Sequence, residues 1–212
     1  MKKIISVFYA IFLGWTFCSA QIIETIILPP AQKTGGMPIM DAFQLRKSQR
    51  SYSSKDITRQ ELSNLLWAAY GINRPEGLRT APTAKNWFEF DIYVIKQEGW
   101  YLYDAGKHAL LKMGNEDLRT YAGTQDFVKT APVNLVFVAD YDRMINSDDA
   151  TRQFFSATDV GYISQNVYLY CASAGLATIV RGQIDKAKAH EVLKLRPNQH
   201  VILAQTVGYP GE

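Results

Sequence analysis

The run Phe88-Glu89-Phe90-Asp91-Ile92-Tyr93-Val94-Ile95-Lys96-Gln97-Glu98-Gly99-Trp100-Tyr101-Leu102-Tyr103 decides the class of fold. Phe88, Phe90, Ile92 and Val94 alternate with Glu89, Asp91 and Tyr93, a period of two that predicts a strand with one buried face. Gln97-Glu98-Gly99 supplies a turn, and Trp100 to Tyr103 returns as the second strand of a hairpin. Downstream, Val133 to Ala139 is almost uniformly apolar, as expected of a central strand covered on both faces. The period then changes. Val160, Ile163, Val167, Tyr170, Cys171 and Ala174 share one stripe of a long helix expected over about 149–174, and Gly175 ends it. Residues 177–180 predict a short strand, Asp185 caps a helix running through Leu195, and Val201 to Val207 predicts a last strand.

Upstream of the hairpin, Thr58 followed three residues later by Glu61 is a capping-box signature. Leu62, Leu65, Leu66 and Ala69 then fall on one helical face, and Gly71 stops the helix. A shorter helix is expected around Met40 to Lys47, after an extended lead-in over 21–37. No internal repeat or linker divides the chain. Hairpin and crossover connections are mixed, so the fold class is α+β, one sheet with helices packed on it.

Composition narrows the function. The chain has 212 residues, 47% hydrophobic and 20% charged, a balance that supports a packed core rather than disorder. A net charge of +3 gives no basic excess for nucleic acid. Two cysteines exclude a disulfide framework and a Cys-rich zinc site. His108, His190 and His200 are scattered without metal-ligand spacing, so no metal site is expected. There is neither a GxGxxG nor a P-loop, and Ser173 lacks the leading glycine of a nucleophile elbow. Phe154, Phe155, Tyr168 and Tyr170 are expected in the core, and Asp140, Asp142, Asp148 and Asp149 in a solvated loop.

The chain opens with Lys2 and Lys3, an apolar run from Ile4 to Phe17 and a small-residue stretch, Cys18-Ser19-Ala20, before Gln21. That is the pattern of a secretory signal peptide. The apolar run of 14 residues is short of the ~18–20 that span a bilayer. Residues 1–20 are expected to be removed, leaving 21–212 as one periplasmic or secreted domain with Cys171 as its single cysteine.

Three segments could carry chemistry. Arg46, Lys47, Ser48 and Arg50 place three cations and a hydroxyl within five positions, and guanidinium forks match phosphate oxygens; a solvated basic turn is the bland alternative. Pro82, Thr83, Ala84 and Asn86 form a small-residue loop leading into the first hairpin strand, where a flat ring could approach the backbone and Asn86 could serve a heterocycle edge. Ile179, Val180, Arg181 and Gly182 follow the long helix, and Gly182 would let backbone amides come close to a planar ligand. The second and third segments could equally be plain connections.

Taken in order, Arg46-Lys47-Ser48-Gln49-Arg50-Ser51-Tyr52, Ala81-Pro82-Thr83-Ala84-Lys85-Asn86 entering a strand, Ser164-Gln165-Asn166 on the long helix, Ile179-Val180-Arg181-Gly182 and the closing Val207-Gly208-Tyr209-Pro210 resemble the nitroreductase family of flavin enzymes over about residues 38–210. The Arg79-Thr80-Ala81-Pro82 wording is similar to the branch that includes thiazoline and oxazoline dehydrogenases. The resemblance implies a dimeric α+β fold with a central mixed or antiparallel sheet flanked by helices. It also implies FMN held non-covalently where two identical chains meet, with ping-pong hydride transfer. Arg46, Lys47 and Ser48 would hold the phosphate and ribityl chain, and Arg50 would lie near the phosphate or the pyrimidine edge. Pro82, Thr83, Ala84 and Asn86 would meet the ring, and Ile179, Val180, Arg181 and Gly182 would bring a backbone amide to its reactive nitrogen. Relatives often carry an acidic residue at the position of Arg181, so a more positive flavin environment is expected here. Relatives also often have a basic tail after the Gly-Tyr-Pro, where this sequence stops at Gly211-Glu212, so phosphate anchoring is expected to rest on residues 46–50. No catalytic residue is assigned, because the flavin carries the reaction. NAD(P)H would be the usual donor, but an exported enzyme would need another reductant or would oxidise a small molecule or peptide. A non-catalytic module that binds a flavin or another flat ligand on the same scaffold is the alternative.

Overall fold

The computed structural model describes residues 23–211. The expected signal peptide, residues 1–20, lies outside them. Seven strands form one sheet: β1 (Thr25–Ile27), β2 (Phe90–Lys96), β3 (Gly99–Asp104), β4 (Ala109–Gly114), β5 (Val133–Asp140), β6 (Ala177–Arg181) and β7 (Gln199–Gly208). Their order is β1-β4-β3-β2-β5-β7-β6, and every neighbouring pair is antiparallel. Five helices accompany it: α1 (Ile39–Leu45), α2 (Arg59–Tyr70), α3 (Phe127–Thr130), α4 (Asp149–Ala174) and α5 (Lys186–Val192). No helix among the described residues is long and apolar enough to cross a membrane.

Side-chain alternation sorts the strands onto two cores. Phe90, Ile92 and Val94 of β2 and Leu135 and Phe137 of β5 pack with Leu62, Leu65 and Leu66 of α2 and Val160, Ile163 and Val167 of α4. On the other face Tyr93, Ile95, Val136 and Val138 meet Val128 of α3, Ala189 of α5, Leu193 and Leu195. The expectation of one buried face for the first hairpin strand is therefore corrected. β2 is covered on both faces, Phe88 precedes the strand with φ +48°, and Glu89 is fully buried. β4 was not signalled by its sequence, and it completes a meander with β2 and β3.

The helix ends follow their capping chemistry. Thr58 and Glu61 form both hydrogen bonds of the capping box that starts α2. Asp148 accepts the Thr151 amide at the start of α4, and Gly175 closes that helix in the left-handed conformation (φ +68°). Two other expectations are corrected. Phe154 of α4 is 65% exposed rather than in the core. Asp140 is buried at the end of β5, where Arg143 and Arg196 pair with it, because a carboxylate withdrawn from water must find cations. Asp142 stays exposed, as expected, and pairs with Arg196 at the surface.

Candidate functional site

β6 is an edge strand, so alternate backbone groups along it face away from β7 and need other partners. Two of them find partners that carry the site. Thr178 C=O accepts the Gln49 amide at 3.0 Å, which lays the segment after α1 alongside the strand. Val180 N–H donates to the Tyr168 hydroxyl at 3.0 Å, and that hydroxyl also lies 2.8 Å from Ser48 Oγ. Tyr168, on α4, thus ties the basic cluster to the strand. The Gly182 amide, past the end of β6, has no hydrogen-bond partner among the described residues. A Cβ at Gly182 would meet only Leu203 at 3.6 Å, so no protein atom requires glycine there.

Beside this junction lies a cleft of about 390 Å³ lined by Arg46, Lys47, Gln49, Tyr168, Thr178 and Pro210, among others, within the range of small-molecule sites. The Arg46 guanidinium stacks over the Tyr168 ring at 5.2 Å from its centroid. Arg50 is exposed and does not line the cleft. Among the described residues none of Arg46, Lys47 and Arg50 pairs with a carboxylate, although twelve ion pairs form elsewhere and engage four of the eight other arginines. Three uncompensated cations on one short segment, with a hydroxyl between them, fit the phosphate group of a mononucleotide. Cys171 also lines the cleft, but burial pushes its thiol pKa up and keeps it protonated.

The second predicted segment is set by the middle of α4. Asp159 Oδ2 accepts the Ala84 amide at 2.8 Å, and Thr83 Oγ1 accepts the Phe88 amide at 3.1 Å. Pro82 and Asn86 are exposed and Thr83 is buried. Lys85, Asn86 and Phe88 all have φ near +50° (51°, 52° and 48°). Such a conformation costs about 1 kcal/mol or more for a residue with a Cβ and persists where its surroundings over-determine it. Asn86 lines a separate cavity with Lys85, Trp87 and Arg143. Asp159 and Tyr168 are nine residues apart, about 13 Å along the helix. Within one chain, then, the basic cluster and the Asn86 loop open onto different cavities, each tied to α4.

The third segment divides. Val180 and Gly182 lie at the β6 edge, but the Arg181 side chain is buried and turned elsewhere. It donates to Ala122 C=O, Asn134 Oδ1 and Thr206 Oγ1, and its guanidinium lies 5.7 Å from the Phe127 ring centroid. Burial lowers its pKa to about 10. The Arg181 side chain therefore turns from the β6 edge to neutral acceptors beside the second core.

Sequence reasoning missed Tyr168 and Asp159 as site residues. Asp159 carried a signal, being a carboxylate on the buried stripe of a helix. A Ser63–His108–Tyr103 chain was also missed. Ser63 Oγ is 2.7 Å from His108 Nε2, and Tyr103 OH is 2.9 Å from Nδ1. Its geometry is that of a nucleophile and base, but Ser63 is fully buried and donates its proton to Pro29 C=O. It is a structural tie. No group of three or more His, Cys, Asp or Glu among the described residues could hold a metal ion.

The nitroreductase family model matches residues 44–209. A nitroreductase-like protein of Methanocaldococcus jannaschii is 32% identical over 180 residues, covering 79% of this chain and 89% of that protein. The crystal structure of a nitroreductase-like protein from Ralstonia eutropha superposes with a TM-score of 0.85 at 42% identity, covering 89% of this chain and 90% of that one. An NADPH:FMN oxidoreductase from Vibrio harveyi, complexed with NAD+, shares the fold at a TM-score of 0.62 and 23% identity, covering 82% of this chain and 69% of that one. The seven-stranded antiparallel sheet, the order of the site segments and these likenesses together place the chain in the nitroreductase family of oxidoreductases.

Proposed function

We propose that the chain works as a homodimer that binds FMN between its two copies and transfers hydride between small molecules by a ping-pong route. Membership of the nitroreductase family makes it a flavin-dependent oxidoreductase. The observation that carries the rest is the acid-free cluster of Arg46, Lys47 and Arg50 beside the cleft at the β6 edge. When bound, FMN would supply the hydride chemistry, taking two electrons from a donor and passing them to an acceptor.

The chain's own residues position and neutralise. Arg46 and Lys47 would balance the phosphate charge, and Ser48, held by Tyr168, would add a hydroxyl contact. Arg50 would extend the positive field toward the phosphate or the pyrimidine edge. Asn86 offers an amide donor and acceptor, and the free Gly182 N–H offers a backbone donor without side-chain bulk. Within a single chain the basic cluster and the Asn86 loop line different cavities. A second copy brings its Pro82–Asn86 loop to the cleft of the first, and the reverse. An exposed apolar face supports this pairing: Ile39, Met40, Phe43 and Leu45 of α1 are each more than half exposed, as is Phe154 of α4. Apolar area of this kind on a soluble domain marks an interface.

The same proposal includes export of residues 21–212, on the residue pattern of the first twenty. An exported member would draw on a reductant other than NAD(P)H or run in the oxidising direction, as the likeness of Arg79 to Pro82 to the thiazoline and oxazoline dehydrogenase branch suggests. Purified protein is expected to be yellow, to bleach with a donor and to recover with oxygen. Colourless protein that does not take up added FMN would overturn the reading. Rapid flavin reduction at micromolar NADH would overturn the choice of donor.

A further inference from the structure

Glu89 sits where α4 meets the start of β2. It is fully buried, and neither of its carboxyl oxygens has a hydrogen-bond partner. The group facing it is the carboxyl of Asp159, also buried, whose Oδ2 accepts the Ala84 amide. Two acceptor-only carboxylates cannot face each other in a dry site, since like charges there repel strongly. One proton shared between them turns the repulsion into a hydrogen bond.

We infer that Glu89 is a positioning residue: in its protonated form it donates to Asp159, which accepts the Ala84 amide and thereby holds the 82–86 loop in the shape that meets the flavin. The inference rests on the proposed function in assigning that loop to the cofactor. Geometry carries it. Two non-glycine residues of the loop, Lys85 and Asn86, have positive φ, and Phe88 just beyond it makes a third, so the loop needs an anchor outside itself, and the Asp159–Ala84 bond is that anchor. Glu89 is close enough in sequence to feel the loop and has no other partner.

The charges around the pair agree. Burial first, and the Asp159 charge after it, raise the Glu89 pKa to about 8, and burial also raises that of Asp159. From the turn after β5, Arg143 is a cation that acts on Glu89, but it is committed to Asp91, Asp140 and Phe88 C=O. From α2, the Tyr70 hydroxyl is buried without a partner, and Arg79 stacks on the Tyr70 ring at 4.5 Å. None of these removes the need for the shared proton at neutral pH. Above pH 8 a second negative charge would push the carboxyls apart and release the Ala84 amide.

The test uses purified protein free of flavin and then titrated with FMN. The Ala84 amide resonance of the apo-protein is followed from pH 6 to 9.5, and FMN affinity is measured across the same range by quenching of flavin fluorescence. In wild type the Ala84 signal is expected to titrate near pH 8, and FMN affinity to fall at least tenfold above it. Glu89→Gln keeps a donor on Asp159 at every pH, so both profiles should flatten while affinity at pH 6.5 stays within a few-fold. An Ala84 signal that does not move in wild type would overturn the inference whether or not the variant folds, as would a wild-type pH profile that persists in Glu89→Gln. If Ala84 titrates as expected but FMN affinity ignores both pH and Asn86→Ala, the carboxyl pair stands and the assignment of the loop to flavin falls.

Discussion

Tyr168→Phe removes a single oxygen and leaves the ring in place, so it isolates what the hydroxyl does. That oxygen joins Ser48 Oγ at 2.8 Å and Val180 N–H at 3.0 Å, and it is the direct side-chain link between α4, the basic cluster and the open edge of β6. Each hydrogen bond contributes about 1 kcal/mol net, and an amide left unpaired costs about 1–3 kcal/mol when fully buried. Val180 is only half-buried, so water can reach its amide and the lower end applies. Together these give a loss of about 1–2 kcal/mol. In a chain of this size that lowers Tm by roughly 2–8 °C, at about 2–4 °C per kcal/mol. Ser48 is also released from its position beside the cleft, so FMN affinity should fall by about five- to tenfold, or about 1–1.4 kcal/mol. Scanning calorimetry of the apo-protein and a fluorescence titration with FMN measure the two effects separately. A variant with wild-type Tm and wild-type affinity would refute the claim that this hydroxyl organises the site. A Tm loss with unchanged affinity would refute its role toward the ligand alone.

Arg46→Ala with Arg50→Ala should weaken FMN by a few kcal/mol at most, since charge-assisted hydrogen bonds contribute about 1.5–3 kcal/mol each, and should flatten the salt dependence of binding; unchanged affinity would remove the phosphate assignment. Arg181→Gln strands acceptors at Ala122, Asn134 and Thr206, so calorimetry should show about 2–3 kcal/mol lost while FMN affinity stays near wild type. Met40→Asp with Phe43→Asp should yield a monomer by sedimentation that no longer retains FMN. Burial lowers the His108 pKa, so its neutral form is favoured by the fold. Its contribution is fully present above the unfolded value of about 6.5 and is lost as pH falls below it. His108→Asn, which suits the φ of +48° at that position, should remove that part of the acid dependence of Tm.

The elements best read from sequence are those whose partners are local. The limits of α4 and its caps follow from Asp148 and Gly175, and the box at Thr58 and Glu61 fixes the start of α2. β4 escaped notice because Ala109-Leu110-Leu111-Lys112-Met113-Gly114 neither alternates nor carries β-branched residues. β2 looked one-sided because Tyr93 reads as polar, yet its ring packs beside Trp100 in the second core. Asp140 looked solvated because Arg196 reaches it from 56 residues away, and Arg143, three residues on, gives no sign of the burial at the end of β5. The same holds at the site. The 46–50 and 82–86 segments were legible as chemistry, but Tyr168 and Asp159 reach them across 120 and 75 residues. No local pattern reveals such a bond, beyond the hint of an acid on a buried helical stripe.

The position of β7 has a consequence for how the molecule comes into being. Residues 199–208, the last strand in chain order among the described residues, do not close the border of the sheet; they are inserted between β5 and β6. Until they arrive, β6 has no neighbour to pair with and the basic cluster has no finished ledge to lie along. The ledge for the basic cluster is therefore finished only when residues 199–208 have taken their place between the two strands.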